Sequence, residues 1–197
     1  MAGNANRSTA KRPRSAGNTT IANATAYAIA LEGLSGAEPT PRALALRSVA
    51  LELERLANHV GDIGALAGDI GYLKTAAAAG RLRGDFLNMT MAICGSRLGR
   101  NWVRPGRVAL DVTRDMQELL LSNLERTSKE VTHALEAFFG ARTVMARLRG
   151  TGEVSTKAAQ ELGFVGMAAR ASGIAVDVRQ DHPTAWYREH AIESASE

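Results

Sequence analysis

The chain has 197 residues, 45% of them hydrophobic and 5% aromatic, with a formal net charge of +4. That length can bury a real core, and abundant alanine, leucine and arginine beside so few aromatics point to packed helices rather than sheets. The lone Cys94 excludes an internal disulfide and a cysteine-based metal site of the chain's own. No stretch approaches the roughly 20 apolar residues of a membrane span or the apolar core of a secretory signal, so an intracellular protein is expected.

The charge is uneven. Arg7, Lys11, Arg12 and Arg14 crowd into the first twenty residues, where no acid occurs, and the remainder of the chain is balanced. Residues 1–20 therefore read as a basic, unstructured arm, with electrostatic binding to nucleic acid or anionic lipid as the competing function for a helical module. From Ile21 to Leu34 an alanine-rich pattern predicts a helix, which Gly33 and Gly36 end. Pro39, Thr40 and Pro41 then announce a second helix, with Thr40 as N-cap and Pro41 at the first helical position, running to about Asp69.

In that second helix Leu46, Val49, Leu53, Leu56, Val60, Ile63 and Ile70 mark the face expected to be buried. A neighbouring stripe carries Glu52, Arg55, His59, Asp62 and Asp69. Glu52–Arg55 and His59–Asp62 are also spaced as i,i+3 pairs of a solvated helix face, so spacing leaves both readings open.

A weaker helix is expected over residues 82–98, after the alanines at 76–79 and Gly80, then a turn or short strand at Trp102–Gly106. Residues from about Thr113 to Phe138 are helical again, closed by Gly140. Farther on, Ser155 and Thr156 cap a short helix to Leu162, and Ile174, Val176 and Val178 alternate as a brief strand. Arg170, Asp177, Arg179, Asp181 and His182 form a polar cluster suited to local ion pairing. The fold class expected is mainly α: a long antiparallel helix bundle with short β and loop elements near the C-terminus. Residues 21–187 form the helical domain, and 188–197 a loose tail.

Several segments carry a family resemblance. They are Ala-Tyr-Ala-Ile-Ala-Leu-Glu at 26–32, Glu-Leu-Glu-Arg-Leu-Ala-Asn-His-Val-Gly-Asp-Ile-Gly-Ala at 52–65 and Gly-Asp-Ile-Gly at 68–71. Thr-Gly-Glu-Val-Ser at 151–155, Ala-Ala-Arg-Ala-Ser-Gly-Ile at 168–174, Asp-Val-Arg at 177–179 and Asp-His-Pro at 181–183 complete the set. In this order they resemble the large subunit shared by respiratory complex I and energy-converting [NiFe] hydrogenases, specifically its middle part.

The resemblance implies a truncated, nickel-free member. The hydrogenase Cys-Gly-x-Cys motif falls without a gap on residues 16–19, where Ala16 and Thr19 replace thiolates that nickel requires, and the second cysteine pair would lie past Glu197. The quinone-contacting tyrosine of complex I falls on Gly17. What it leaves is His59 and Asp69 beside a quinone chamber or proton path, with Glu52 and Asp62 as weaker candidates. It implies no cofactor bound by this chain alone and quinone only in the assembled complex. An iron–sulfur small subunit and membrane-arm subunits are the implied partners, with no specific nucleic acid. The implied location is peripheral, on the cytoplasmic side of the membrane, and catalysis would belong to the complex. A nonfunctional truncated copy is the remaining reading.

Overall fold

The computed structural model describes residues 18–190 and 192. The basic residues Arg7, Lys11, Arg12 and Arg14, with Ala16, Gly17 and almost all of the 188–197 tail after His190, lie outside them.

Four long helices form the body: α1 (Thr20–Ser35), α2 (Pro41–Asp69), α3 (Leu73–Cys94) and α4 (Arg114–Phe139). Gly36, at φ +68°, takes the left-handed position that closes α1. Thr40 accepts a hydrogen bond from the Ala43 amide at 3.2 Å and so caps α2 as its sequence requires. A three-residue turn at Ile70–Tyr72 reverses the chain, making α2 and α3 an antiparallel pair.

The seam between them corrects the expected buried face. Val49 is exposed, and the residues that pack inward are Leu46, Ala50, Leu53, Ala57, Val60 and Ala67. Small residues let the two helix backbones approach: a Cβ added at Gly64 would lie 3.0 Å from the Ala79 Cβ. The same chemistry explains why α3 begins at Leu73 and not at residue 82, since Ala79 is part of the contact and the alanine run is helical. Gly95, at φ +71°, stops α3 short of Leu98.

Between α3 and α4 a two-stranded hairpin, β1 (Val103–Arg104) and β2 (Arg107–Val108), pairs antiparallel around Pro105–Gly106. Gly106 has φ +73°, and proline followed by a positive-φ glycine is the arrangement a type II turn uses. Trp102, 1% exposed, anchors this loop in the core and donates its indole N–H to the Leu110 carbonyl at 2.9 Å. Here lies the only strand pairing among the described residues, in mid-chain and not near the C-terminus.

A buried ion pair ties the hairpin to α1 and α2. Arg47 Nη2 meets Glu32 Oε1 at 2.6 Å and donates to the Arg104 carbonyl at 2.7 Å, while the Gly106 amide donates to Glu32 Oε1 at 2.7 Å. Arg47 is 2% and Glu32 9% exposed, and the arginine's hydrogen bond holds the Glu32 carboxyl below its ordinary range.

Helix α4 joins α3 through Arg81, Asp85, Arg126 and Glu130. A small second core of Ala67, Phe138 and Val144 closes the far end, where the Tyr72 and Phe138 rings lie 5.8 Å apart. Toward its start α4 leaves an apolar groove of about 420 Å³ against α2 and α3, lined by Val49, Leu53, Ile93, Leu120 and Leu121 among others.

Short helices follow: α5 (Arg142–Leu148), α6 (Thr156–Glu161), α7 (Gly166–Ala171), α8 (Val178–Asp181) and a 3-10 turn at Ala185–Arg188. Ser155 caps α6 as expected. The strand expected at Ile174–Val178 does not form. No neighbouring strand among the described residues offers a ladder there, the Ile174 amide instead closes α7 by bonding the Ala169 carbonyl at 2.9 Å, and Val178 opens α8.

Candidate functional site

The polar stripe of α2 begins beneath the C-terminal segment. Glu52 accepts hydrogen bonds from Arg55 Nε at 3.1 Å and from the Tyr187 hydroxyl, and Arg179 Nη1 stands 3.7 Å away. Arg179 is itself held by Asp177 in a two-toothed contact, Nε to Oδ1 at 3.0 Å and Nη2 to Oδ2 at 2.7 Å. Arg170 Nη1 approaches the same carboxylate at 3.9 Å and donates to the Val176 carbonyl at 3.1 Å. The polar cluster expected from sequence is thus an ion-pair network whose hub is Asp177, 4% exposed. Its extension to Glu52 and Tyr187 docks the whole segment on α2.

Charge placement explains the titration of each group. The Arg179 guanidinium, by hydrogen bonding, lowers the Asp177 carboxyl to about 2. Burial, then the neighbouring Glu52 carboxylate, pushes the Tyr187 phenol up to about 12. His59, half-buried two turns along from Glu52, has its pKa lowered by burial first and by Arg55 second, with Arg170 acting in the same direction and Asp62 and Glu52 opposing. Burial and the two guanidiniums thus favour the neutral imidazole, which presents one donor and one acceptor nitrogen. It can relay a proton or bond a carbonyl oxygen.

Asp62 and Asp69 are exposed. His59 and Asp69 are ten residues apart, which is about 15 Å along a helix and roughly a quarter turn around it. The structure brings Glu52, Arg55 and His59 together under the C-terminal segment and leaves Asp69 at the far end of α2. The side chains of His182 and His133 make no hydrogen bond or ion pair among the described residues, and the His190 ring stacks on Trp186 at 3.5 Å.

Sequence reasoning missed Tyr187 and Glu54. Glu54 accepts the Ile21 and Ala22 amides at 2.7 and 2.9 Å, so a side chain of α2 satisfies the first turn of α1; burial raises its pKa. Its position on the seam, four residues after Ala50 and three before Ala57, was the available signal. Tyr187 left none.

A nickel site does not fit these residues. Thr19 offers a hydroxyl engaged by Asn23 Nδ2 at 3.2 Å, and the half-buried Cys94 donates its thiol to the Thr90 carbonyl at 3.0 Å. Among the described residues no three His, Cys, Asp or Glu side chains converge on a point a metal could occupy. No described helix is long and apolar enough to cross a membrane.

Residues 69–195 match the family model described as the respiratory-chain NADH dehydrogenase 49 Kd subunit. The chain belongs to that family. Within it, subunit 4 of the NADH-quinone oxidoreductase of Thermus thermophilus is 33% identical over 172 residues, covering 85% of this chain and 41% of its own. An NADH-quinone oxidoreductase subunit of Helicobacter acinonychis is 33% identical over 174 residues, covering 87% and 42%. A solved chain of the membrane-bound sulfane sulfur reductase, an archaeal respiratory membrane complex, superposes with a TM-score of 0.79 at 26% identity, over 85% of this chain and 45% of that one. The chain spans about two fifths of the length of the curated relatives it matches. The expected large-subunit-like helical fold is therefore the family's own.

Proposed function

We propose that this chain serves as a non-nickel, large-subunit-like scaffold in a membrane-associated electron-transfer complex. It docks an iron–sulfur small subunit and membrane-arm subunits, lies peripherally on the cytoplasmic side, and performs no catalysis alone. Its chemical contribution is His59, at a proton path or at the edge of a quinone chamber, with Glu52 as the residue that fixes the C-terminal segment over it. Asp69, exposed at the other end of α2, serves that path only where a partner covers it. Asp62 stands between them, and its charge favours the protonated imidazole.

The observation that carries this reading is a half-buried imidazole near Arg55, Arg170 and Glu52, on a long helix of a fold that resembles a chain of a respiratory membrane complex. Quinone bound in the complex would supply the redox chemistry, and this chain's part is to present an imidazole that can donate or accept a hydrogen bond there. A nickel centre would instead need thiolates that the described residues do not offer.

Co-expression with the neighbouring genes, followed by affinity purification through this chain, tests the proposal. A small iron–sulfur protein retained in stoichiometric amount supports it. A monodisperse monomer that ignores such a partner removes it.

A further inference from the structure

Between Asp85 and Asp111 the sequence holds four arginines, Arg97, Arg100, Arg104 and Arg107, and neither an acid nor a lysine. Among the described residues none of the four lies within ion-pair distance of a carboxylate, whereas Arg42, Arg47, Arg81, Arg126 and Arg179 all do. Arg83 on α3 is likewise without an acidic partner among them.

Two of these cations share one place. Arg83 and Arg97 both line a small pocket of about 10 Å³, bordered by Asn18, Glu54 and Asn58. Each is seated against a glycine. A Cβ at Gly61 would lie 2.9 Å from Arg83 Cδ, so the arginine stem occupies the space that a side chain on α2 would fill, and a Cβ at Gly84 would lie 3.8 Å from Arg97 Nη2. Asn58 Nδ2 is committed to the Asn18 carbonyl at 2.5 Å, and the α1 amides are already taken by Glu54. Among the described residues, the cationic donors lining the pocket are the two guanidiniums, and neither makes an ion pair with a described carboxylate.

We infer that Arg83 and Arg97 form a clamp for a carboxylate side chain on an acidic segment of a partner protein. A cavity of this size admits about one water-sized atom, so it receives one oxygen of a small planar head. Glu54 on the same wall penalises a dianionic phosphate more than a monoanionic carboxylate. Forked guanidinium donors suit the carboxylate's two oxygens. The surrounding charge is of the right sign, because Arg100, Arg104 and Arg107 follow in the same connection between α3 and α4. Those cations steer the acidic segment, and the clamp fixes its register. The inference is independent of the electron-transfer reading.

Two variants of the full chain with equal loss of charge separate a clamp from a general field. Arg83→Gln with Arg97→Gln removes the clamp, and Arg100→Gln with Arg107→Gln removes the same charge from outside the pocket. Binding of a fluorescein-labelled hexaglutamate peptide is followed by anisotropy at two salt concentrations, with circular dichroism to verify folding. The clamp pair is expected to weaken binding at least about tenfold, and the charge-matched pair less than about threefold. Equal weakening by both pairs overturns the clamp. So does tighter binding of inorganic phosphate, or of vesicles of phosphatidylcholine and phosphatidylglycerol, than of the peptide. Should the clamp pair misfold, Gly61→Ala gives a second reading: it displaces the Arg83 stem at unchanged charge, and peptide affinity must fall while the salt dependence stays the same.

Discussion

Replacing Arg47 with alanine strips the Glu32 carboxylate of its buried partner and leaves the Arg104 carbonyl without its 2.7 Å donor. Both charged groups are almost wholly out of water, so solvent screening does not dilute the effect. Breaking a buried pair from one side costs about 3–5 kcal/mol, a large share of the roughly 5–15 kcal/mol that stabilises a domain. The assay is equilibrium urea unfolding followed by far-UV circular dichroism at pH 7. Glu32→Leu with Arg47→Met removes both charges and keeps the volume, so it should recover roughly half of the loss or more, the remainder reflecting the unbonded Gly106 amide and Arg104 carbonyl. Acid sharpens the test. The Glu32 carboxyl is lowered in the folded state, so its contribution is present above the unfolded value near 4.3 and is lost as pH falls through the folded one. A single alanine variant within about 1 kcal/mol of wild type, as for an exposed pair, would refute the assignment of a buried latch.

Asp177→Asn should destabilise the chain above pH ~4, and the difference from wild type should vanish as pH falls through about 2, because a carboxyl depressed that far contributes only while ionised; thermal unfolding across that range reads it. The His59 imidazole should titrate below the ordinary value near 6.5 in a proton NMR experiment, with native stability falling as acidification forces a proton onto it. A midpoint at or above that value would contradict its burial among arginines. Gly99→Ala should cost about 2–4 kcal/mol, since its φ is +63° and the new Cβ would meet Ile21 Cγ1 at 2.5 Å. Gly36→Ala, at φ +68° in open space, should cost only about 1 kcal/mol in the same thermal melts.

Helices α1, α2 and α4 were legible because their ends are written in local chemistry, Gly36, Thr40 with Pro41, and Thr113 with Gly140, whereas the start of α3 was placed nine residues late. The seam was harder. Hydropathy favours Val49 as a core residue, yet Ala50 is buried in its place, because the α2–α3 approach rewards small side chains and only the partner helix reveals that. Arg47 and Glu54 sit on the seam by spacing, and so does Glu32 on α1 with Ile21, Thr25 and Ala28. A charged residue at a seam position signals a buried partner without naming it.

The candidate site divides in the same way. Glu52, Arg55 and His59 share a face by helical period, and the structure places them together. A seven-residue spacing joins Asp69 to Asp62 on paper, but the ten residues from His59 carry it about 15 Å along α2 and roughly a quarter turn around it. Tyr187 reaches Glu52 from 135 residues away, a contact that no local pattern encodes. The strand expected at Ile174–Val178 failed because alternation specifies a face to bury, while a ladder also needs a neighbour to pair with.

The most direct test of the central claim is the metal content of the assembly purified through this chain. The account predicts several irons for each copy, carried by a retained small subunit, and no nickel. Nickel in stoichiometric amount, or a metal-free monomer as the sole product, would contradict it.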